Sequence, residues 1–306
     1  MFKALSEYGV GERVTDTAMI QDIKVVPCKD GSTAWFCTCV AKEVSFTGKL
    51  WKVDSDMSVV NTLKGKVVQL VGTINVWDNK RELKIAEMRL VDEDSKNYME
   101  SVDYGALSEE FTQLLRQNLS EPYMNVARLL LQAIDYKAFI TRAAALGFHD
   151  AVIGGLIHHT VKCMKIFLCF TVLYPEMEPF KDVTLLGIAL HDMGKIWEYT
   201  EEKQMSELWF VDHKAYGIEC LALHKDAIVE QIGISNYYHL MALIHEHHGE
   251  FGEPCHSVPA CLAHYVDFAE SRVTHVLQEL RKAKATGVTD MYIDEAHVST
   301  NIPAPV

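Results

Sequence analysis

No histidine occurs in the first 148 residues of this 306-residue chain, and all fourteen lie between His149 and His297. Imidazole is the commonest metal-ligating side chain. The absence therefore confines any histidine metal site to the second half and leaves the first half to a different task. The eight cysteines include no Cys-x-x-Cys pair, which argues against a structural zinc site. They read as free thiols of a cytoplasmic protein, and Cys37 and Cys39, two apart, would share one face of a strand. No apolar run approaches the roughly 18–20 residues that span a bilayer. The longest, Ile166 to Leu173, has the length of a buried helix segment. The opening Met-Phe-Lys-Ala-Leu-Ser-Glu has no apolar region of signal-peptide type, so no membrane association is expected. Internal repeats and low-complexity stretches are also lacking.

Positive charge is scarce overall, with a net charge of −13, 49% hydrophobic and 23% charged residues. The balance is uneven. Residues 1–92 carry 13 Lys/Arg against 12 Asp/Glu, a net of +1, and the remainder carries 16 against 30, a net of −14. An acidic second half suits bound divalent cations, although a soluble acidic surface is also common. Charge neither requires nor excludes a polyanionic substrate.

Two kinds of pattern follow one another along the chain. Ala34–Ala41, Ser45–Val53, Lys66–Trp77 and Glu82–Val91 are β-rich, with a polar turn at Asp78-Asn79-Lys80 and Gly48 as a candidate bulge. About five short strands in some 85 residues suit a small all-β barrel of OB-fold type. Glu93 to Gly105 is polar and acidic and reads as a linker. From Ser108, a capping residue followed by two acids, the pattern turns helical. Helices separated by Pro- or Gly-containing stretches continue to about Lys284. The expectation is a barrel over 1–92, a linker over 93–105, an all-α domain over 106–290 and a C-terminal tail over 291–306, frayed from Thr300 to Val306.

The helical half carries the chemistry. His191-Asp192 closes the apolar run Val183 to Leu190, which places the pair at the end of a buried helix. Adjacent helical residues diverge by about 100°, so the pair can ligate from two sides with the carboxylate bridging. Further candidates are His158-His159, His213, His247-His248 and Asp267. These are too many for one tetrahedral zinc, and the carboxylates point to two hydrolytic metals. Mixed imidazole and carboxylate ligands suit Mn²⁺, Fe²⁺, Co²⁺ or Ni²⁺, with Mg²⁺ a further option. Lys195 lies three residues after Asp192, on the same helical side; a solvated lysine is its ordinary reading.

The motifs Gly155-Leu-Ile-His-His-Thr160, Gly187-Ile-Ala-Leu-His-Asp-Met-Gly-Lys195, His247-His-Gly249 and Leu262-Ala-His-Tyr-Val-Asp267 resemble those of the HD-domain metal-dependent phosphohydrolases. Over residues 10–285 the chain is similar to the YhaM-type 3′-to-5′ exoribonucleases, which join an N-terminal OB-fold to an HD domain. Lys49-Leu-Trp51, Gly65-Lys-Val-Val68 and Leu83-Lys-Ile85 agree with that likeness. It implies that His159, His191, Asp192 and Asp267 are the defining ligands and that His213, His247 and His248 complete a dinuclear set, with Mn²⁺ the expected metal. Asp192 would bridge the ions and take part in catalysis together with Lys195, which would face the substrate phosphate. Three features depart from the pattern. Val266–Arg272 lacks a second Asp after Asp267, His245 is extra, and Ala41–Phe46 lacks an Asp-x-(Thr/Ser)-Gly turn.

The implied partner is single-stranded RNA, or DNA, and a homo-oligomer is compatible with the family. Trp35, Trp51, Lys80, Arg81 and Lys84 are the candidate nucleic-acid contacts on the barrel, by base stacking and phosphate pairing. Most aromatics of a small barrel are core, so one or two should face solvent. Two rival functions are a phosphohydrolase of dNTPs or cyclic nucleotides and a non-catalytic single-strand-binding adaptor. Gly249-Glu-Phe-Gly departs from the Gly-Tyr-Pro signature of the cyclic-dinucleotide phosphodiesterases.

Overall fold

The computed structural model describes residues 1–42, 44–53, 57–77, 80–146, 151–286, 290–293 and 296–299. His149, most of the turn at 78–80, and residues 300–306 of the expected tail lie outside the described residues. The chain divides into two compact units, Met1–Ser101 with Thr200–Gln204, and Val102–Tyr199 with Met205–Val306.

The first unit is a closed barrel of five strands: β1 (Arg13–Pro27), β2 (Thr33–Ala41), β3 (Val44–Val53), β4 (Val67–Trp77) and β5 (Lys80–Leu90), with helix α1 (Met57–Leu63) between β3 and β4. Its strand order is β1-β2-β3-β5-β4, closed by β1 on β4. All pairs are antiparallel except β3 with β5, an OB-like arrangement. Inward positions are filled by Ile20, Cys37, Cys39, Val68, Leu70, Ile74 and Leu83. Cys37 and Cys39 do share the inner face, and burial pushes the Cys37 thiol up to about 12.

Gly48 is not a bulge, because it pairs in register with Cys37. A Cβ there would meet Ile85 Cδ1 at 2.7 Å, so the residue serves a close approach of β3 and β5, the other role of a strand glycine. Of the acidic stretch expected as a linker, residues 93–101 group with the barrel unit and residues 102–105 with the helical unit. The stretch holds a 3-10 turn, Ser95–Tyr98. Tyr98 and Met99 are buried, and the Tyr98 hydroxyl donates to the Glu93 carboxylate and accepts from the Thr17 hydroxyl at 2.7 Å.

The second unit is helical: α2 (Tyr104–Asn118), α3 (Glu121–Ala133), α4 (Tyr136–Thr141), α5 (Gly155–Leu173), α6 (Lys181–Leu190), α7 (Lys195–Glu198), α8 (His213–Leu223), α9 (Lys225–Glu246) and α10 (Val258–Thr286). Helix α2 starts before Ser108. Asp103 is its cap and accepts from the Ala106 amide, and the Ser108 hydroxyl instead meets the Tyr136 hydroxyl. Strands β6 (Asp290–Ile293) and β7 (Ala296–Ser299) pair as a hairpin.

Helix α6 is buried from Val183 to Leu190, the signature of a helix apolar all round and enclosed by neighbours; it packs on α5, α9 and α10. Contrary to the expectation from single runs, α5 is long and apolar enough to cross a membrane by length and composition. In this fold its buried residues, His159 and Thr160 among them, face the helical core.

Gly187 allows α6 to approach α9, since a Cβ there would lie 2.3 Å from Leu243 Cδ1. Gly187→Ala is expected to destabilise the protein by about 1–3 kcal/mol through overpacking, read as a lower urea midpoint. Leu243→Ala should cost roughly 2–5 kcal/mol. The double variant should cost less than the sum, because the added methyl fills part of the cavity.

Candidate metal centre

The ends of buried helices converge on one carboxylate. The apolar α6 carries His191 and Asp192 into the interior, where they are 2% and 3% exposed. His159 arrives from the second turn of α5, His213 from the first turn of α8, His247 and His248 from the end of α9, and Asp267 from α10.

Around Asp192 the ligand atoms fall into two groups. On the Oδ2 side, His191 Nε2 is at 3.3 Å and His159 Nε2 at 3.7 Å. His159 Nε2 also lies 3.1 Å from Asp267 Oδ1 and 3.3 Å from His191 Nε2. On the Oδ1 side, His213 Nε2 is at 3.5 Å and His247 Nε2 at 3.7 Å. His213, His247 and His248 can each offer an atom within 4.8 Å of the others, as can His159, His191 and Asp267. Two ligand atoms each about 2.1 Å from one cation stand roughly 3–3.5 Å apart, so both groups have the spacing of ion-binding sets with Asp192 shared between them.

The outer nitrogens fix which way each ring faces. His191 Nδ1 donates to Ile188 O at 2.7 Å and His247 Nδ1 to Ile244 O at 2.9 Å. His159 Nδ1 meets Glu270 Oε2 at 2.6 Å, and His213 Nδ1 meets Glu198 Oε2 at 2.9 Å. A carboxylate only accepts, so each of these rings is held with Nε2 turned to the centre. Asp192 Oδ1, His213 Nε2 and His247 Nε2 are buried without a hydrogen-bond partner. Buried polar atoms are normally satisfied. Three converging acceptors left without a donor fit a cation.

The electrostatics agree. Burial would raise the Asp192 carboxyl, but Lys195, His191 and His213 outweigh it and hold it well below the usual carboxylate range. Burial likewise opposes ionisation of Asp267, and His159 pulls it down. Burial lowers His248 to about 4 and, with the adjacent His191, holds His247 well below the ordinary imidazole range. Both rings are thus neutral at neutral pH, the form that binds metal. His159 goes the other way. Burial lowers it, but Cys163, Asp267 and Glu270 together raise it well above its usual value. The Lys195 ammonium contacts Asp192 Oδ2 at 2.7 Å.

All seven residues singled out as metal ligands are thus brought together, and Lys195 joins them. Glu270 and Glu198 were missed. Glu270 is one turn beyond Asp267 on the same face of α10, so helical spacing could have revealed it. It is also the buried carboxylate in the stretch where a second Asp was absent. Glu198 had no sequence motif to mark it.

The barrel residues divide differently. Trp35 is only 5% exposed and packs in the barrel core, so its indole is not available to a nucleic acid. Trp51 is 47% exposed and shares a cleft with Lys84, Lys29 and Ser32. Lys80 is exposed. Arg81 donates to the Ser6 carbonyl and is thereby engaged by its own unit. Beside Trp51, in edge contact at 6.1 Å, lies Phe36. Lys49 stands over Phe36 and over the 66%-exposed Trp77, at 4.8 and 5.2 Å, and pairs with Glu82 at 2.5 Å. Phe36, Lys49, Trp51 and Trp77 form a continuous aromatic and cationic face.

No protein-family model matches the chain. It is similar to the 3′-5′ exoribonuclease YhaM of Geobacillus sp. (strain WCH70), with 25% identity over 303 residues, 95% of this chain and 92% of that protein.

Two predictions test the centre. Glu270→Gln and Glu198→Gln should each weaken Mn²⁺ binding about 10–100-fold, the usual effect of removing an orienting carboxylate, in isothermal titration with unchanged circular dichroism. At Gly194 a Cβ would lie 1.9 Å from the His213 carbonyl oxygen. Gly194→Ala should therefore displace His213 and reduce the bound Mn²⁺ per chain from two to one, measured by elemental analysis after dialysis.

Proposed function

On the premise that the chain belongs to the YhaM-type family, as its full-length likeness to that exoribonuclease supports, we propose that it is a metal-dependent 3′-to-5′ exoribonuclease. It removes nucleoside monophosphates from single-stranded RNA at an HD-type site, with single-stranded DNA a second substrate. The observation that carries this reading is the buried Asp192 carboxylate, shared between two ligand groups and ending in converging acceptors without donors.

In this reading His159, His191 and Asp267 would hold one divalent ion, His213, His247 and His248 would hold a second, and Asp192 would be shared between them. Mn²⁺ suits the donor set best, and Fe²⁺, Co²⁺, Ni²⁺ or Mg²⁺ are alternatives. Bound ions supply Lewis-acid activation of water and neutralise the phosphoryl oxygens. The residues supply the rest. Asp192 fixes the spacing between the two sets. Glu198, Glu270 and the carbonyls of Ile188 and Ile244 keep the imidazoles aimed. Lys195, which lines the clefts on either side, places a positive charge where a phosphate enters. On the barrel, Trp51, Trp77, Lys80 and Lys84 provide stacking and charge for a strand. Eight free cysteines suit a reducing cytoplasm.

A time course of 5′-end-labelled single-stranded RNA with Mn²⁺ tests the proposal. The wild type should give a descending ladder, stopped by chelator and restored by Mn²⁺, and Asp192→Ala should leave the RNA intact. Intact RNA with metal-loaded wild type would sink the reading in favour of a small-nucleotide phosphohydrolase.

A further inference from the structure

The helical unit opens a cleft on each side of Lys195 and His248, which line both. One, of about 500 Å³, is bordered by Trp209, Phe210 and Asp212. The other, of about 230 Å³, is bordered by Phe251, Asp267, Phe268 and Arg272. The smaller cleft has a built floor. The Phe251 and Phe268 rings stack with centroids 5.5 Å apart and planes 15° from parallel. The Arg272 guanidinium carbon is 5.2 Å from the centre of the Phe268 ring. Phe268 directly follows Asp267, and Phe251 lies three residues after His248, in a 3-10 turn that hydrogen-bonds back to the His248 carbonyl. That turn is fixed from below. Gly249 adopts φ +55°, and a Cβ there would lie 2.5 Å from the His264 ring, which itself bonds the His247 carbonyl. Despite this support Phe251 remains 62% exposed.

A rigid aromatic ring held open to solvent beside phosphodiester chemistry is suited to a nucleobase. Every base has a π-face, so stacking accepts any sequence, as an exonuclease that removes successive nucleotides requires. Arginine over an aromatic ring extends such a platform and adds charge for a phosphate. The cleft is smaller than the range of roughly 300–1,000 Å³ usual for drug-sized ligands; it suits one nucleotide and leaves the larger cleft to the chain.

We propose that the Phe251–Phe268 pair, with Arg272, is the subsite that stacks the base of the terminal nucleotide as it is cleaved and released. The inference rests on the nuclease reading above and adds to it which side of the centre holds the product.

The test is calorimetric titration of the Mn²⁺-loaded full chain with adenosine 5′-monophosphate and with ribose 5-phosphate, which lacks the base. Wild type should bind the nucleotide about tenfold or more tightly than the sugar phosphate. Phe251→Ala should bind the two alike, with sugar-phosphate affinity unchanged. Phe251→Leu, which keeps apolar bulk without a π-face, should behave the same way and covers a folding defect in the alanine variant. Retained preference for the nucleotide in both variants, or no preference in wild type, would overturn the subsite. Intact RNA in the time course above would instead overturn the nuclease reading alone, because the titration needs no turnover.

Discussion

The Asp192 carboxylate is a charge placed where water does not reach, and the helical unit is arranged around that fact. An isolated buried carboxylate is strongly disfavoured and persists only when paired or coordinated. Lys195 compensates Oδ2, but Oδ1 faces two imidazole nitrogens that also lack donors. The two rings cannot turn away, because His213 Nδ1 is committed to the Glu198 carboxylate and His247 Nδ1 to the Ile244 carbonyl on the outer side. The result is a set of converging acceptors that a divalent cation would satisfy and that one water molecule, with only two protons to donate, would not. The fully buried α6, the glycine contact at Gly187 and the near-contact at Gly194 all serve to bring that carboxylate to its place.

The barrel answers a different constraint. Its inner face is filled, and its outer face carries Phe36, Lys49, Trp51 and Trp77 side by side. Lys49 is itself nearly buried, paired with Glu82 and covered by two rings. Its charge is largely spent within the protein, so the exposed aromatics and the outlying Lys80 and Lys84 are what the face presents to solvent. A surface of this kind favours stacking over long-range attraction, in keeping with the near-neutral charge of residues 1–92.

The residues that converge on Asp192 are legible in the sequence because histidine and aspartate, the side chain types a metal site needs, stand out however far apart they lie. The strands were legible from their β-branched and aromatic runs. Other features were hidden for physical reasons. The alternation that placed Cys37 and Cys39 on one face extends to Trp35, two residues earlier, and that periodicity outweighs the expectation that a tryptophan in an OB-like barrel stacks bases. Glu198 acts through another residue and carries no motif. The α2 cap was misplaced because Ser108 and Asp103 are both good capping residues, and only the packing of Tyr136 against Ser108 decides between them. The β6–β7 hairpin pairs two strands of four residues each, too short for periodicity to show.

The ligand set also joins parts of the chain that meet only in the folded state. His159 and Glu270 are 111 positions apart, and His159 and His191 are 32 apart. A covalent link closing a loop of about 100 residues removes enough freedom from the unfolded chain to be worth roughly 4–5 kcal/mol. Ions held between α5, α6, α8, α9 and α10 would act on the same entropy without a covalent bond, as reversible clasps at the hub of the bundle. On the proposed metal reading the helical unit would have two mechanical states set by the free concentration of metal, a clasped bundle and a looser one, and supply of the ion would govern endurance of the fold together with its chemistry.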